Sequence, residues 1–298
     1  MKLGITLPLT DIQGDPAMVR DFAQAAEGLG YHHLGAPDHV LGVNVASRPD
    51  WGARNTSKDF FHDPFVMFGF LSACTSRIAF STQVLILAQR QTVLVAKQAA
   101  SLDVLSGGRF RLGIGVGWNP VEYVGLNENF ANRGRRSEEQ VQVMRALWAE
   151  PHVTFKGAWH TIEDAGINPL PTKRRIPLWF GGHEDVTLRR IAKWGDGWIM
   201  LAHPMGDKAL AEFAKLKGYV REAGRDADQI GLEVWVSTAE GGPADWRKEF
   251  LFWKNAGVTH VTLNSTYGRP PHRRIAGKTV ADHMAAMNQY HAAVADLI

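Results

Sequence analysis

The sequence predicts an α/β protein, a closed (β/α)8 TIM barrel. Eight short runs of β-forming residues occur along the chain, and a longer segment with helical periodicity follows each of them. Eight strands, each followed by a helix, is the number that closes a parallel barrel. The chain of 298 residues suits one domain spanning 1–298, since barrels of about 250 residues fold as single units. A doubly wound open sheet is the structural alternative. The predicted strands are residues 3–7, 31–35, 78–87, 110–116, 177–180, 197–201, 230–236 and 259–264.

The first strand–helix unit carries clear boundary signals. Asp15 and Pro16 have the form of a helix N-cap followed by proline at the first helical position. Gly28 or Gly30 ends this helix. Its apolar stripe consists of Val19, Phe22, Ala23 and Ala26.

The second strand is followed by a long polar stretch that reaches about residue 59, which is the first predicted insertion. A helix at 64–75 then leads to the third strand. A helix at 92–105 stops at Gly107 and Gly108 and leads to the fourth strand.

A second insertion follows the fourth strand and ends where Ser137 and Gln140 match a capping box. Residues 151–175, before the fifth strand, form a third insertion, in which two β-type runs flank residues 156–158 and predict a hairpin. The later helices carry apolar stripes, which complete the eightfold pattern. These stripes are Leu210, Phe213, Leu216 and Val220; Trp246, Phe250 and Trp253; and Val280, Met284, Met287, His291 and Val294.

Composition argues against several classes of protein. With 33 basic and 30 acidic residues the net charge is +3, which is too balanced for a nucleic-acid-binding or membrane-surface protein. The chain has no signal pattern and no run of 18 apolar residues, so we expect a soluble, cytoplasmic protein. Cys74 is the single cysteine and is read as a small buried hydrophobe.

In a barrel, chemistry belongs at the carboxyl ends of the strands. The fourth strand ends in Gly113, Gly115 and Gly117, but a dinucleotide fingerprint needs glycine where Trp118 stands, and Pro120 interrupts the helix start. A nicotinamide site is therefore disfavoured. These glycines either let a flat ligand approach the backbone or form a tight turn.

The segment after the fifth predicted strand also carries candidate residues. Gly181, Gly182 and His183 precede a helix whose free N–H groups suit an anion, although Glu184 and Asp185 could serve the helix dipole instead.

After the second strand, Asp38 and His39 pair a carboxylate with an imidazole, which suits proton transfer near neutral pH; the alternative is a polar pair in a loop. The 12 histidines lack metal-ligand spacing, and no serine nucleophile elbow occurs, so no metal site is predicted.

The order and spacing of four stretches resemble the luciferase-like monooxygenase superfamily, and specifically its deazaflavin (coenzyme F420)-dependent branch. They are APDH at 36–39, TQVLIL at 82–87, SGGRFRLGIGVGW at 106–118 and AKWGDGW at 192–198. The resemblance covers nearly the whole chain. It implies that Asp38 and His39 contact the deazaflavin ring, and that Gln83-Val84 is a non-prolyl cis peptide supporting the back of the ring.

The resemblance also assigns the rest of the cofactor site. Gly117 and Trp118 match the segment beside the ring, and Gly181 and Gly182, with His183 next to them, match the phosphate-binding turn.

Basic residues and one departure from the family pattern bear on the ligands. Arg133, Arg135 and Arg136 either meet the acidic tail of the cofactor or form a solvated helix start. The sugar-phosphate dehydrogenases of this branch carry an acidic residue near the position of Trp118. Here Glu122 is the nearest carboxylate, which argues against a glucose-6-phosphate-type substrate.

The implied function is hydride transfer between C5 of coenzyme F420 and an organic small molecule. His39 would relay the proton, with Asp38 as its orienting partner. One alternative is an FMN-dependent monooxygenase that uses dioxygen and flavin from a partner flavin reductase. A second alternative is a non-catalytic flavin-binding barrel that carries cofactor. The resemblance also implies a homodimer.

Overall fold

Eight parallel strand positions form a closed ring in the computed structural model, which describes residues 1–52 and 54–298. In chain order the strands are β1 (Lys2–Thr6), β2 (His33–Ala36), β3 (Ala79–Thr82), β4 (Leu85–Ile86), β5 (Phe110–Gly115), β6 (Val153–Lys156), β7 (Thr161–Ala165), β8 (Leu178–Gly181), β9 (Gly197–Ala202), β10 (Gly231–Val236) and β11 (His260–Leu263). The helices are α1 (Leu9–Ile12), α2 (Pro16–Gly28), α3 (Pro64–Cys74), α4 (Thr92–Leu105), α5 (Pro120–Gly125), α6 (Arg133–Ala149), α7 (Asp185–Trp194), α8 (Asp207–Glu222), α9 (Pro243–Asn255) and α10 (Val280–Val294).

Parallel pairings run from β1 through β2, β3, β5, β8, β9, β10 and β11 and return to β1. The predicted (β/α)8 barrel is confirmed, and the open-sheet alternative is wrong. The third barrel strand is interrupted, because β3 and β4 both pair with β5 but are separated by Gln83 and Val84. The peptide bond between these two residues is cis, as the family resemblance implied.

The helix starts follow from local chemistry. Asp15 caps α2 by accepting a hydrogen bond from the N–H of Ala17 at 2.9 Å, and Pro16 follows it. Asp63 caps α3 in the same way. Among the described residues, no helix is long and apolar enough to cross a membrane.

The three predicted insertions correspond to the loop between β2 and α3, the segment with α5 between β5 and α6, and the β6–β7 hairpin before β8. The predicted start of α6 is wrong. The helix begins at Arg133, and the Ser137 hydroxyl inside it donates to the Gly134 carbonyl at 2.8 Å. Gln140 donates to the carbonyls of Leu87 and Arg90, so neither side chain caps the start of α6.

The interior of the barrel holds a charged cluster instead of apolar layers. Glu233 on β10 is fully buried and pairs with Arg111 at 2.5 Å and with Nε2 of His33 at 3.0 Å. The Arg111 guanidinium also packs over the Trp179 ring at 4.1 Å. Burial opposes the charge on Glu233, yet the charges of Arg111 and His33 hold the pKa of this carboxyl far below its usual range.

Replacing Glu233 with glutamine is expected to lower the free energy of unfolding by about 3–5 kcal/mol, because Arg111 is left buried without its counter-charge. A depressed folded-state pKa contributes stability that is fully present above the unfolded pKa, about 4.3, begins to fall near pH 4 and is lost as the pH drops through the folded pKa. Urea denaturation at pH 7 and pH 4 measures both effects. Glu163→Gln, at an exposed position of β7, is the matched control. Equal stability of the wild type and the Glu233 variant at pH 7 would contradict this account.

Candidate active site

The interrupted third strand presents Val84 at the carboxyl end of the barrel. A Cβ atom on Gly115 would lie 2.6 Å from Cγ2 of Val84, and one on Gly181 would lie 2.8 Å from its Cγ1. Only glycine at both positions admits the valine side chain. Val84 remains partly exposed, so it forms an apolar shelf between the ends of β5 and β8.

Gln83 turns the opposite way. Its side chain is buried inside the barrel, where it donates to Glu233 and its oxygen accepts from Nε1 of Trp235 at 3.2 Å. The predicted ligand contact of Gln83 is therefore restricted to its backbone, and its carboxamide anchors the strand interruption.

Asp38 anchors the backbone of β4, which follows Val84. Its carboxylate is buried, accepts from Arg90 at 2.6 Å and from the N–H of Ile86 at 3.0 Å, and so ties the loop after β2 to β4. Burial raises the pKa of Asp38, and the charge of Arg90 opposes that effect. The prediction that Asp38 orients His39 is wrong, since the carboxylate is committed to Arg90 and Ile86.

His39 lies in the loop after β2, at the carboxyl end of the barrel, and contacts a different carboxylate. Its Nδ1 lies 3.4 Å from the side chain of Glu122, a buried residue of α5. The imidazole packs edge-on against Phe61 and Trp118, with ring centroids 4.9 and 6.2 Å away. The ring is partly exposed, which leaves it accessible from the mouth of the barrel.

Gly117 and Trp118 form the neighbouring wall. Gly117 has a φ of +68°, and a Cβ atom there would lie 2.7 Å from Ile86. The Trp118 side chain is 40% exposed and packs with Trp51 at 5.6 Å, while the Arg54 guanidinium covers its ring at 4.7 Å. The predicted turn is therefore an aromatic wall beside His39.

The turn after β8 borders a small cavity with both apolar and polar residues in its wall. The Gly182 φ is +127°, and its carbonyl accepts from Nε1 of Trp198 at 2.7 Å. Ser137, Thr187 and Arg190 line the cavity together with Ile114, Gly115, Val116, Phe180 and Gly181.

The start of α7 favours an anion at this cavity over simple capping. Glu184, at the N-cap position, makes no side-chain capping hydrogen bond. The Asp185 carboxylate instead binds Arg189, Lys215 and the Tyr219 hydroxyl. The N–H groups of the first helical turn therefore have no capping acid side chain among the described residues.

His183 and the arginines at 133, 135 and 136 lie in different environments. His183 packs against Trp198 and His203, both at 6.1 Å, and burial lowers its pKa, so the ring is neutral at pH 7. Arg136 is buried and donates to the Ala88 carbonyl and to Glu128, so its predicted contact with an acidic tail is wrong.

The other two arginines also differ from each other. Arg133 packs over the Phe130 ring at 3.8 Å, and Arg135 is exposed.

Two features of the site were not assigned from the sequence. One is the contact of Glu122 with His39. The other is Trp235 at the end of β10, which is nearly parallel to the Tyr267 ring at 6.1 Å. In the sequence, Glu122 stands out only as the carboxylate nearest to Trp118, and no sequence signal joins it to a histidine 83 residues away.

The sequence profile of the luciferase-like monooxygenases matches residues 1–257. The chain belongs to this family. The uncharacterized protein Rv0940c of Mycobacterium tuberculosis is 33% identical over 248 residues, which are 81% of this chain and 82% of that protein. The pyrimidine monooxygenase RutA of Allorhizobium ampelinum is 33% identical over 207 residues, which are 65% of this chain and 56% of RutA.

Among solved structures, an F420-dependent secondary alcohol dehydrogenase in complex with an F420-acetone adduct superposes with a TM-score of 0.78, at 19% identity over 98% of each chain. This likeness shows the fold that the two chains share. The family predicted from the sequence is confirmed, and luciferase-like proteins are oxidoreductases and monooxygenases.

Proposed function

We propose that this luciferase-like protein is a coenzyme F420-dependent oxidoreductase that transfers hydride between C5 of the deazaflavin and a small organic substrate. The observation that carries the proposal is one arrangement at the barrel mouth. The Val84 shelf, the His39 imidazole with its Glu122 partner, and a cavity at the start of α7 all lie at the carboxyl ends of the barrel strands. Titration of the purified protein with F420 and with FMN, followed by anaerobic turnover, tests it.

The residues present fit a flavin-like group. A flat ring can lie on Val84 because Gly115 and Gly181 carry no side chain that would cover it. The Thr187 hydroxyl and the N–H groups at the start of α7 suit a phosphate oxygen in the adjoining cavity, and the Arg190 guanidinium, which pairs with Glu138 at 2.8 Å, also lines it. When bound, the cofactor supplies the hydride chemistry.

The remaining residues orient and protect this site. Asp38 and Arg90 fix the backbone beneath the shelf, and Trp118 with Trp51 limits access of water from one side. His39 exchanges the proton with the substrate, since its imidazole is a partly exposed acid–base group at the same end of the barrel as the shelf.

An FMN-dependent monooxygenase is the second candidate, favoured by the 33% identity to RutA. It would need dioxygen as a substrate and reduced flavin from a partner reductase. Only part of RutA is matched, so its substrate is not transferred to this chain. A cofactor carrier is the third candidate, and steady turnover with any acceptor would exclude it.

Thr187→Val is expected to weaken cofactor binding about 5- to 10-fold, which corresponds to the loss of about one hydrogen bond to phosphate. The substitution keeps the volume of the side chain but removes the hydroxyl at the cavity. Isothermal titration calorimetry measures the change in Kd. Thr161→Val, at an exposed position of the β6–β7 hairpin, is the control and should leave the Kd unchanged. An unaltered Kd for Thr187→Val would remove the cavity from the cofactor site.

A further inference from the structure

Glu122 is a buried carboxylate with an unusual set of partners. Its side chain is 2% exposed, and Oε1 accepts from the N–H of Val40 at 2.7 Å. Both carboxylate oxygens lie 3.4 Å from Nδ1 of His39. In the part of the chain that the structure describes, no lysine or arginine forms an ion pair with Glu122. A buried carboxylate is costly unless it is hydrogen-bonded or paired, so the contact with His39 contributes to holding it there.

The segment after β5 fixes this carboxylate in place. Asn119 caps α5 by accepting from the N–H of Val121 at 2.9 Å, and the Tyr123 hydroxyl donates to the Val116 carbonyl at 2.7 Å. A Cβ atom on Gly125 would collide with Leu41, so α5 packs directly against the loop that carries His39. These contacts hold α5 against the loop and keep Glu122 next to the imidazole.

We propose that Glu122 is the positioning residue for His39. By accepting from Nδ1–H it selects one tautomer of the neutral ring and leaves the lone pair on Nε2. Nε2 has no hydrogen-bond partner among the described residues, and the ring is held between Phe61 and Trp118. Nε2 is thus the atom that takes and returns the proton. This role rests on the proposed function, but the tautomer does not.

Asp38 does not compete for this role. Although it precedes His39 in the chain, its carboxylate oxygens are occupied by Arg90 and by the N–H of Ile86. The two acids therefore have different roles. Asp38 fixes the backbone next to the shelf, and Glu122 fixes the imidazole.

The kinetic test compares Glu122→Gln, His39→Ala and the double variant. Glutamine keeps an oxygen for the Val40 N–H but lacks the charge that attracts Nδ1–H. We expect kcat of Glu122→Gln to fall at least about 10- to 100-fold, the loss seen when the hydrogen-bond partner of a metal-ligating histidine is removed. KM and the cofactor Kd should change little. The double variant should be no slower than His39→Ala alone, because Glu122 acts through His39. Multiplicative losses in the double variant, or a normal kcat in Glu122→Gln, would overturn the proposal.

A second measurement uses the wild-type protein and needs neither turnover nor a folded variant of Glu122. Nitrogen-15 NMR of histidine-labelled protein distinguishes the two neutral tautomers, and the spectrum of His39→Gln identifies the resonances of His39. We expect protonated Nδ1 and unprotonated Nε2. The opposite tautomer would refute the role of Glu122 even if the enzyme is active. If no cofactor supports turnover but the expected tautomer is present, the proposed function fails and the positioning by Glu122 stands.

Discussion

His39→Ala is expected to lower kcat by about 10²–10⁴-fold, the range typical of general acid–base catalysis. The imidazole lies at the same end of the barrel as the Val84 shelf and contacts Glu122, Phe61 and Trp118. Its removal takes away the group that exchanges the proton without changing Val84 or the cavity at the start of α7, so the cofactor Kd should change little. Steady-state kinetics with saturating cofactor, together with a binding titration, measures the two effects separately.

His152→Ala is the matched control, because His152 is exposed and precedes the β6–β7 hairpin. Its kcat should equal that of the wild type. An unchanged kcat in His39→Ala together with a weaker cofactor Kd would make His39 a binding residue and would leave the proton relay without support.

The barrel could be predicted because its signals are local and repeated. Each strand–helix unit carries its own periodicity and boundary residues, such as Asp15 before α2, so eight weak signals reinforce one another. The interruption at Gln83 and Val84 lies within what the sequence predicts as one strand at 78–87, and it was expected only from the family resemblance.

Roles that depend on distant contacts could not be predicted. The sequence neighbour of His39 is Asp38, but the carboxylate that contacts the imidazole is Glu122, which the fold brings from the end of another strand. Arg136 looked like a surface cation because it stands in a basic segment. Its burial against the Ala88 carbonyl depends on how α6 packs on the loop after β4.

The roles of the glycines at the end of β5 also depend on distant contacts and could not be predicted from the sequence. Gly113 and Gly115 resembled part of a nucleotide-binding fingerprint, with a flat ligand or a tight turn as the open readings. In the barrel, a Cβ atom on Gly113 would collide with the Thr82 carbonyl, and one on Gly115 would collide with Val84. Both glycines are needed for strand packing, and Gly115 also leaves the shelf open, so a single residue serves the fold and the candidate site.

Turnover with coenzyme F420 is expected to continue when oxygen is removed, whereas FMN should support little or no activity under the same conditions. A deazaflavin has carbon at position 5 and exchanges hydride without reacting readily with oxygen. A monooxygenase instead consumes dioxygen and therefore stops without it. The experiment compares rates with each cofactor in anaerobic and air-saturated buffer, with a screen of small organic acceptors and with a flavin reductase added to the FMN series.

The two candidate functions predict opposite patterns in this experiment. For an F420-dependent enzyme, the rate with F420 is the same with and without oxygen, and Thr187→Val raises the cofactor Kd in both buffers because Thr187 lines the cavity proposed for the phosphate. For an FMN-dependent monooxygenase, FMN binds more tightly, and the rate requires both oxygen and the reductase. Tighter FMN binding with oxygen-dependent turnover would move the assignment to the RutA-like reaction class, while His39, Glu122 and the Val84 shelf would keep their places in the site.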